Sequence, residues 1–284
     1  MDACRIAGLE ILRLICEPTS AAIAYKFADM ANGDEEMKEE EDDKIALIFD
    51  IGGGTFDVTL LQSTDGLIDV LGTAGDMQLG GRDFDNALVD MVLERIEEER
   101  GVDLADEVDA MNVITLSVEA CKRYLTNNDT VTCSFGPLKL IDGGIFEEFS
   151  TEITRAEFEE ACEDFFKKVI KPVETVLKAA AMDKGEVNEV ILMGGSSRIP
   201  YLQQQLADFF EMEVGNLRNN ISEDEGVAIG ATYMAAILTN QMAEKEKAKV
   251  IVNDVVPLTI GIQKPLNKVA PLINANSTIP CENK

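Results

Sequence analysis

The chain has 284 residues, 46% of them hydrophobic, enough to bury a sizeable core in one large domain or two of moderate size. Its formal net charge of −28, with no His, disfavours nucleic acid and anionic membrane as partners. The six cysteines, Cys4, Cys16, Cys121, Cys133, Cys162 and Cys281, contain no CxxC pair and have no His to complete a zinc site, so they read as reduced structural thiols of a cytoplasmic protein.

The opening stretch MDACRIAGLEILRLIC breaks its apolar run with Glu10 and Arg13, which fits neither a signal peptide nor a membrane span. It reads as a short helical turn, Gly8 and a strand at 9–15, followed by an Ala-rich helix from Pro18 to about Met30. Residues 34–43 (DEEMKEEEDD) hold eight acids and one Lys and read as a solvated loop. Two apolar strands, 45–50 and 56–63, are joined by GGGT as an antiparallel pair, and a third ends near Gly72. Helical periodicity marks 84–100 and 113–126, and 131–150 reads as short strands with a turn at Asp142, Gly143 and Gly144. Residues 155–182 form a long helical stretch interrupted at Pro172. A buried strand at 187–193 runs through Gly194 and Gly195 into a helix at 199–210, and an Ala-rich helix spans 224–239. Alternating Lys and Glu at 244–249 suggest a linker before strand-like sequence at 250–262. Strands interleaved with helices argue for an α/β fold, with the tail as the opening of a separate β domain.

Three features carry chemistry. In Asp50-Ile51-Gly52-Gly53-Gly54-Thr55-Phe56-Asp57, successive glycines leave backbone N–H groups unshielded, so the turn can wrap a phosphate as an anion nest. Asp50 is suited to hold a hydrated Mg²⁺, with Asp57 close to the same charge; a plain Gly-rich hairpin is the alternative. The spacing fits neither a P-loop nor a Rossmann dinucleotide site. In the second feature, Gly194-Gly195-Ser196-Ser197-Arg198-Ile199-Pro200, the glycines let backbone approach a flat ring or ribose, Ser197 is placed to cap the following helix, and Arg198 can stack on a base. An ordinary strand-to-helix turn is the alternative there. The third is a helix face carrying Glu119, Lys122, Arg123 and Thr126 at i, i+3, i+4 and i+7, which also suits a solvated salt-bridged surface.

DIGGGTFDV, AGDMQLGGRDFDN, EACKRYLT, VILMGGSSRIP and DVVPLTIGI, in this order, resemble the heat-shock protein 70 chaperone family, as do CEPTSAAIAY at 16–25 and ITRAEFEE at 153–160. The resemblance implies an actin-like ATPase fold, shared with sugar kinases, in which two lobes close over ATP or ADP with Mg²⁺, followed by a linker and a peptide-gripping β-sandwich. It assigns Gly52, Gly53, Gly54 and Thr55 to phosphate, Asp50, Asp57 and Glu17 (with Thr55) to the catalytic magnesium and water network, and Asp50 to the metal through water. Gly194, Gly195, Ser196 and Arg198 fall in the adenosine pocket, with Glu119, Lys122, Arg123 and Thr126 on its far wall and Asp224 near the ribose and base. Lys122 and Arg123 would supply the positive charge that the chain otherwise lacks.

The resemblance also divides the chain: 1–39 as a remnant of lobe I with the acidic loop, 40–79 and 158–222 as the core of lobe II, and 80–157 as its outer subdomain. Residues 223–241 would return to lobe I, 242–253 form the linker, and 254–284 begin the β-sandwich. A first phosphate hairpin and a catalytic lysine would precede Met1, so the expectation is lobe II nearly complete, lobe I largely missing, a truncated β-sandwich start, weak adenine-nucleotide binding and negligible ATP hydrolysis by the chain alone. The apolar faces of the helices at 18–30 and 224–239 are then expected to lack partners. Arg82 stands where the family has an acidic residue, and Asn253 interrupts the linker. The expected partners are adenine nucleotide, J-domain co-chaperones, nucleotide-exchange factors and, in a full-length form only, unfolded polypeptide. The alternatives are a non-catalytic binding module for chaperone cofactors and, more distantly, an actin-fold sugar kinase.

Overall fold

The computed structural model describes residues 1–31, 44–64, 67–140, 143–218, 221–241, 251–265 and 268–282. The acidic run at 34–43, Asp142 and the Lys/Glu alternation at 244–249 lie outside the described residues.

A five-stranded mixed sheet organises the chain. Strands β1 (Lys44–Ile51), β2 (Phe56–Thr64) and β3 (Leu67–Asp76) form an antiparallel meander, while β8 (Glu189–Met193) joins parallel to β1 and β9 (Ile251–Asn253) parallel to β3. The order across the sheet is therefore β8-β1-β2-β3-β9. β1 reads as an unbroken apolar run because both its faces are covered. Ile45, Leu47, Phe49 and Ile51 enter one core, and Ala46 and Ile48 the other.

On the first face lie α6 (Glu163–Ala179) and α7 (Pro200–Phe210), through Phe166, Val169, Val173, Leu202 and Leu206. The same core runs on into an outer unit of α3 (Gly81–Arg100), α4 (Val108–Leu125), β4 (Thr130–Phe135), β5 (Leu138–Lys139), β6 (Ile145–Phe146), β7 (Phe149–Thr154) and α5 (Arg155–Ala161). Arg95 fastens α3 to this unit by donating to Thr151 Oγ1 and pairing with Glu157, the acid that also accepts the Thr154 N–H at the start of α5. That backbone hydrogen bond and the nearby Arg95 hold the Glu157 carboxyl below its ordinary value.

On the second face, α2 (Glu17–Ala31) lies against α8 (Gly226–Leu238), so these helices cover each other and the sheet, contrary to the expectation of open apolar faces. Ala21, Ile23, Ala24, Tyr25 and Phe27 are buried, and Phe27 stacks on Tyr233 at 4.3 Å. The crossing is tight because Gly230 has no side chain: a Cβ there would overlap the Ser20 carbonyl, and Ser20 Oγ donates to Val227 O at 2.7 Å.

Other expectations are corrected. Residues 9–15 form no strand; after the short α1 (Asp2–Ile6) they run irregularly with Leu9, Leu12 and Leu14 exposed, because among the described residues no strand lies alongside to satisfy their backbone. The break in 155–182 falls at Cys162, not Pro172, which sits inside α6. At Cys162 the backbone leaves the helical region, with φ −99° and ψ 5°, as its buried thiol packs toward the Phe84 carbonyl. The cysteines are not all free: Cys121 on the inward face of α4 and buried Cys133 on β4 meet as a disulfide with their Cα atoms 6.1 Å apart. Beyond β9, β10 (Ile260–Lys264) and β11 (Lys268–Ile273) make an exposed two-stranded hairpin. No helix among the described residues is long and apolar enough to cross a membrane.

Candidate functional site

The two glycine turns, far apart in sequence, meet because β1 and β8 are adjacent parallel strands and both turns leave from the same end of the sheet. Gly194 has φ +77° and its Cα lies against the Ile51 carbonyl, where any Cβ would clash. Ser196 Oγ then donates to Gly52 O at 3.0 Å, tying one turn to the other. From the opposite side, the first turn of α3 closes on the loop: the Gly81 N–H donates to Gly52 O and the Arg82 N–H to Gly53 O, each at 2.9 Å. The Gly52 and Gly53 carbonyls are thereby committed to neighbouring elements, and Thr55 O takes the Gly52 N–H within the turn. The N–H groups of Gly53, Gly54 and Thr55 have no partner among the described residues, and nothing lies within 4 Å of where a Cβ on Gly53 would stand. Such a cradle of unpaired donors fits an anion.

Asp50 and Asp57 face each other across the hairpin as a register pair, one residue beyond each end of the Ile51–Phe56 pair that closes the turn. Burial, reinforced by the charges of Glu17 at the start of α2 and of Asp57, pushes the Asp50 carboxyl up to about 6. Burial and Glu17 raise Asp57 as well. Three acids crowding one end of an anion cradle is an arrangement that a bound cation relieves, and carboxylate oxygen suits a hydrated Mg²⁺. Among the described residues no cluster of three or more His, Cys, Asp or Glu ligands is present.

The second turn continues as a 3₁₀ segment, Gly195–Arg198. Ser197 does not cap α7; its hydroxyl donates back to Gly194 O at 2.7 Å, and Ile199 precedes the helix with no side-chain cap. Arg198 is held at its edges by Glu223 (3.0 Å) and Asp224 (2.9 Å), which fixes the plane of the guanidinium and leaves its faces for stacking. Lys122 donates to Gly81 O at 3.1 Å and forms an ion pair with Asp85 Oδ1 at 2.7 Å. Glu119 lies close enough to add its charge to the environment of Asp85. Arg123 is exposed, Thr126 follows the end of α4, and among the described residues no contact ties either to the glycine turns.

Sequence reasoning missed Glu223, Asp85 and the Gly80–Gly81 junction. Only the acidic run SEDE before α8 and the GGRDFDN motif hinted at them, since each acts through a partner on another element.

A family model described as "Hsp70 protein" matches residues 1–284. The chain is 41% identical over 279 residues to a heat shock 70 kDa protein of Trichophyton rubrum, covering 98% of this chain and 40% of that protein. It is 41% identical over 281 residues to a heat shock 70 kDa protein of Penicillium citrinum (98% and 52%), and 38% identical over 279 residues to a ribosome-associated molecular chaperone of Saccharomyces cerevisiae (98% and 43%). The chain thus spans about two-fifths to one-half of the length of these relatives.

Proposed function

Because this chain belongs to the heat-shock protein 70 family, we propose that it is the nucleotide-holding part of an ATP-dependent folding chaperone, taking ATP or ADP with Mg²⁺ at the junction of the two glycine turns. The observation that carries this reading is the Gly52–Thr55 cradle, its Gly52, Gly53 and Thr55 carbonyls tied down and the N–H groups of Gly53, Gly54 and Thr55 unpaired among the described residues, set between Asp50 and Asp57.

In this reading the N–H groups of Gly53, Gly54 and Thr55 hold phosphate oxygens, and Asp50, Asp57 and Glu17 orient water. Mg²⁺, when bound, supplies positive charge between the acids and the phosphates. Gly194, Gly195 and Ser196 let the nucleoside approach, Arg198 offers a guanidinium face to the base, and Asp224 stands near the ribose, with Glu119, Lys122, Arg123 and Thr126 along the far wall. Turnover by the chain alone is expected to be slow, since stabilising a transferring phosphoryl group takes donors around all of it, whereas the donors described converge from the Gly52–Thr55 side. J-domain co-chaperones and nucleotide-exchange factors follow as partners, unfolded polypeptide as the client of a full-length form, and the cytoplasm as the compartment.

A second reading, a binding module for chaperone cofactors, is favoured by a cleft of about 440 Å³ between α3 and α5. Ala87, Met91 and Phe165 floor it, and Asp90, Glu94 and Glu160 rim it, which suits a basic partner.

Calorimetry with ADP and with glucose tests the main reading. ADP is expected to bind with a micromolar or weaker constant and to lose that binding in Gly194→Ala, while glucose gives no heat. No ADP binding, or ADP binding indifferent to Gly194→Ala, contradicts it.

A further inference from the structure

We propose that Arg82 is a phosphate-contacting residue of this site, its guanidinium gripping the terminal phosphate of the nucleotide from the side of the Gly52–Thr55 turn; this rests on the reading of that turn as a nucleotide phosphate cradle. Two backbone hydrogen bonds, from Gly81 N–H to Gly52 O and from Arg82 N–H to Gly53 O, fix the Arg82 backbone against the turn. From there the side chain folds across Gly54, with Nη2 at 3.5 Å and Cζ at 3.8 Å from where a Cβ on Gly54 would sit. The guanidinium therefore lies against Gly54, in the middle of the turn whose Gly53, Gly54 and Thr55 N–H groups are unpaired among the described residues.

The neighbouring cations are already matched. Lys122 is paired with Asp85, and Arg198 with Glu223 and Asp224. Arg82 is exposed and has no carboxylate partner among the described residues, in a chain of net charge −28. Helix stability does not account for it either. A cation in the first turn of a helix opposes the helix dipole, and the capping of α3 falls to Asp83, whose carboxylate accepts the Gly80 N–H at 2.8 Å. A guanidinium with its donors unspent, beside unpaired backbone donors, offers a planar fork that matches phosphate.

The test is calorimetry of the full chain and its R82A, R82K and R82E variants with ADP and, separately, adenosine, at low and at raised salt. Thermal melts confirm that the exposed substitutions leave the fold intact. ADP affinity is expected to fall about tenfold or more in R82A, further in R82E, and less in R82K, while adenosine affinity stays the same in all four. The salt sensitivity of ADP binding should drop in R82A. If wild-type protein binds ADP and R82A binds it equally well, or if R82A weakens adenosine as much as ADP, the assignment of Arg82 is overturned while the phosphate cradle stands. If wild-type protein binds neither ligand, the cradle reading fails and Arg82's role with it.

Discussion

Lys122 and Asp85 meet at 2.7 Å, each side chain only 11% exposed, at the point where α4 leans on the first turn of α3 beneath the two glycine turns. Burial lifts the Asp85 carboxyl above its ordinary value while Lys122 pulls it down. Lys122→Met should leave a buried carboxylate unpaired and cost about 3 to 5 kcal/mol at pH 8. With the lysine gone, Asp85 takes a proton more readily in the folded than in the unfolded chain. Stability of the variant therefore falls as pH rises through that window, and the deficit shrinks toward the ordinary carboxylate pKa of about 4. The double variant Asp85→Asn/Lys122→Met should recover much of the loss. Urea melts at pH 4.5 and 8 decide it, and a deficit equal at both would remove the pair from the account.

The α2–α8 crossing rests on the absence of a side chain at Gly230, facing the Ser20 carbonyl. Gly230→Ala should push the helices apart and cost about 3 kcal/mol, well beyond what helix propensity alone would return. Thermal melting measures this, and a stabilised Gly230→Ala would show that the two helices do not pack as described.

On the far edge of the sheet, Asn253 Nδ2 donates to Asp69 Oδ1 at 2.7 Å, alongside the parallel register that docks β9 on β3. Asn253→Ala should raise amide exchange in residues 251–253 by about tenfold, with little change in the global melt. Unchanged exchange would mean that the backbone pairing holds β9 without the side chain.

Much of this architecture is readable along the chain, and the exceptions have physical causes. Residues 45–50 and 56–63 announce themselves because burial on both faces demands an unbroken apolar run, and the glycines between them mark the turn that joins the pair. The apolar run at 9–15 has the same local look but finds no neighbouring strand among the described residues, and a strand is made by its partner. Pro172 is a weaker signal than it looks, since the break comes where Cys162 turns its thiol inward. The Gly52–Thr55 and Gly194–Arg198 turns were visible separately; that they touch follows from the β1–β8 pairing. Lys122 and Arg198 were visible as charges, but Asp85 and Glu223, which fix them, belong to distant elements and carry no spacing to betray them.

The most direct measurement is the effect of Mg²⁺ on ADP binding in wild-type and Asp50→Asn protein, followed by calorimetry with adenosine as the phosphate-free control. If the Gly52–Thr55 turn holds phosphate and Asp50 holds the hydrated metal, chelating Mg²⁺ should weaken ADP binding to wild-type protein about tenfold or more. Asp50→Asn should remove that dependence, and adenosine should bind both proteins alike with or without the metal. ADP and adenosine binding equally, or an Mg²⁺ effect that persists undiminished in Asp50→Asn, would contradict the account.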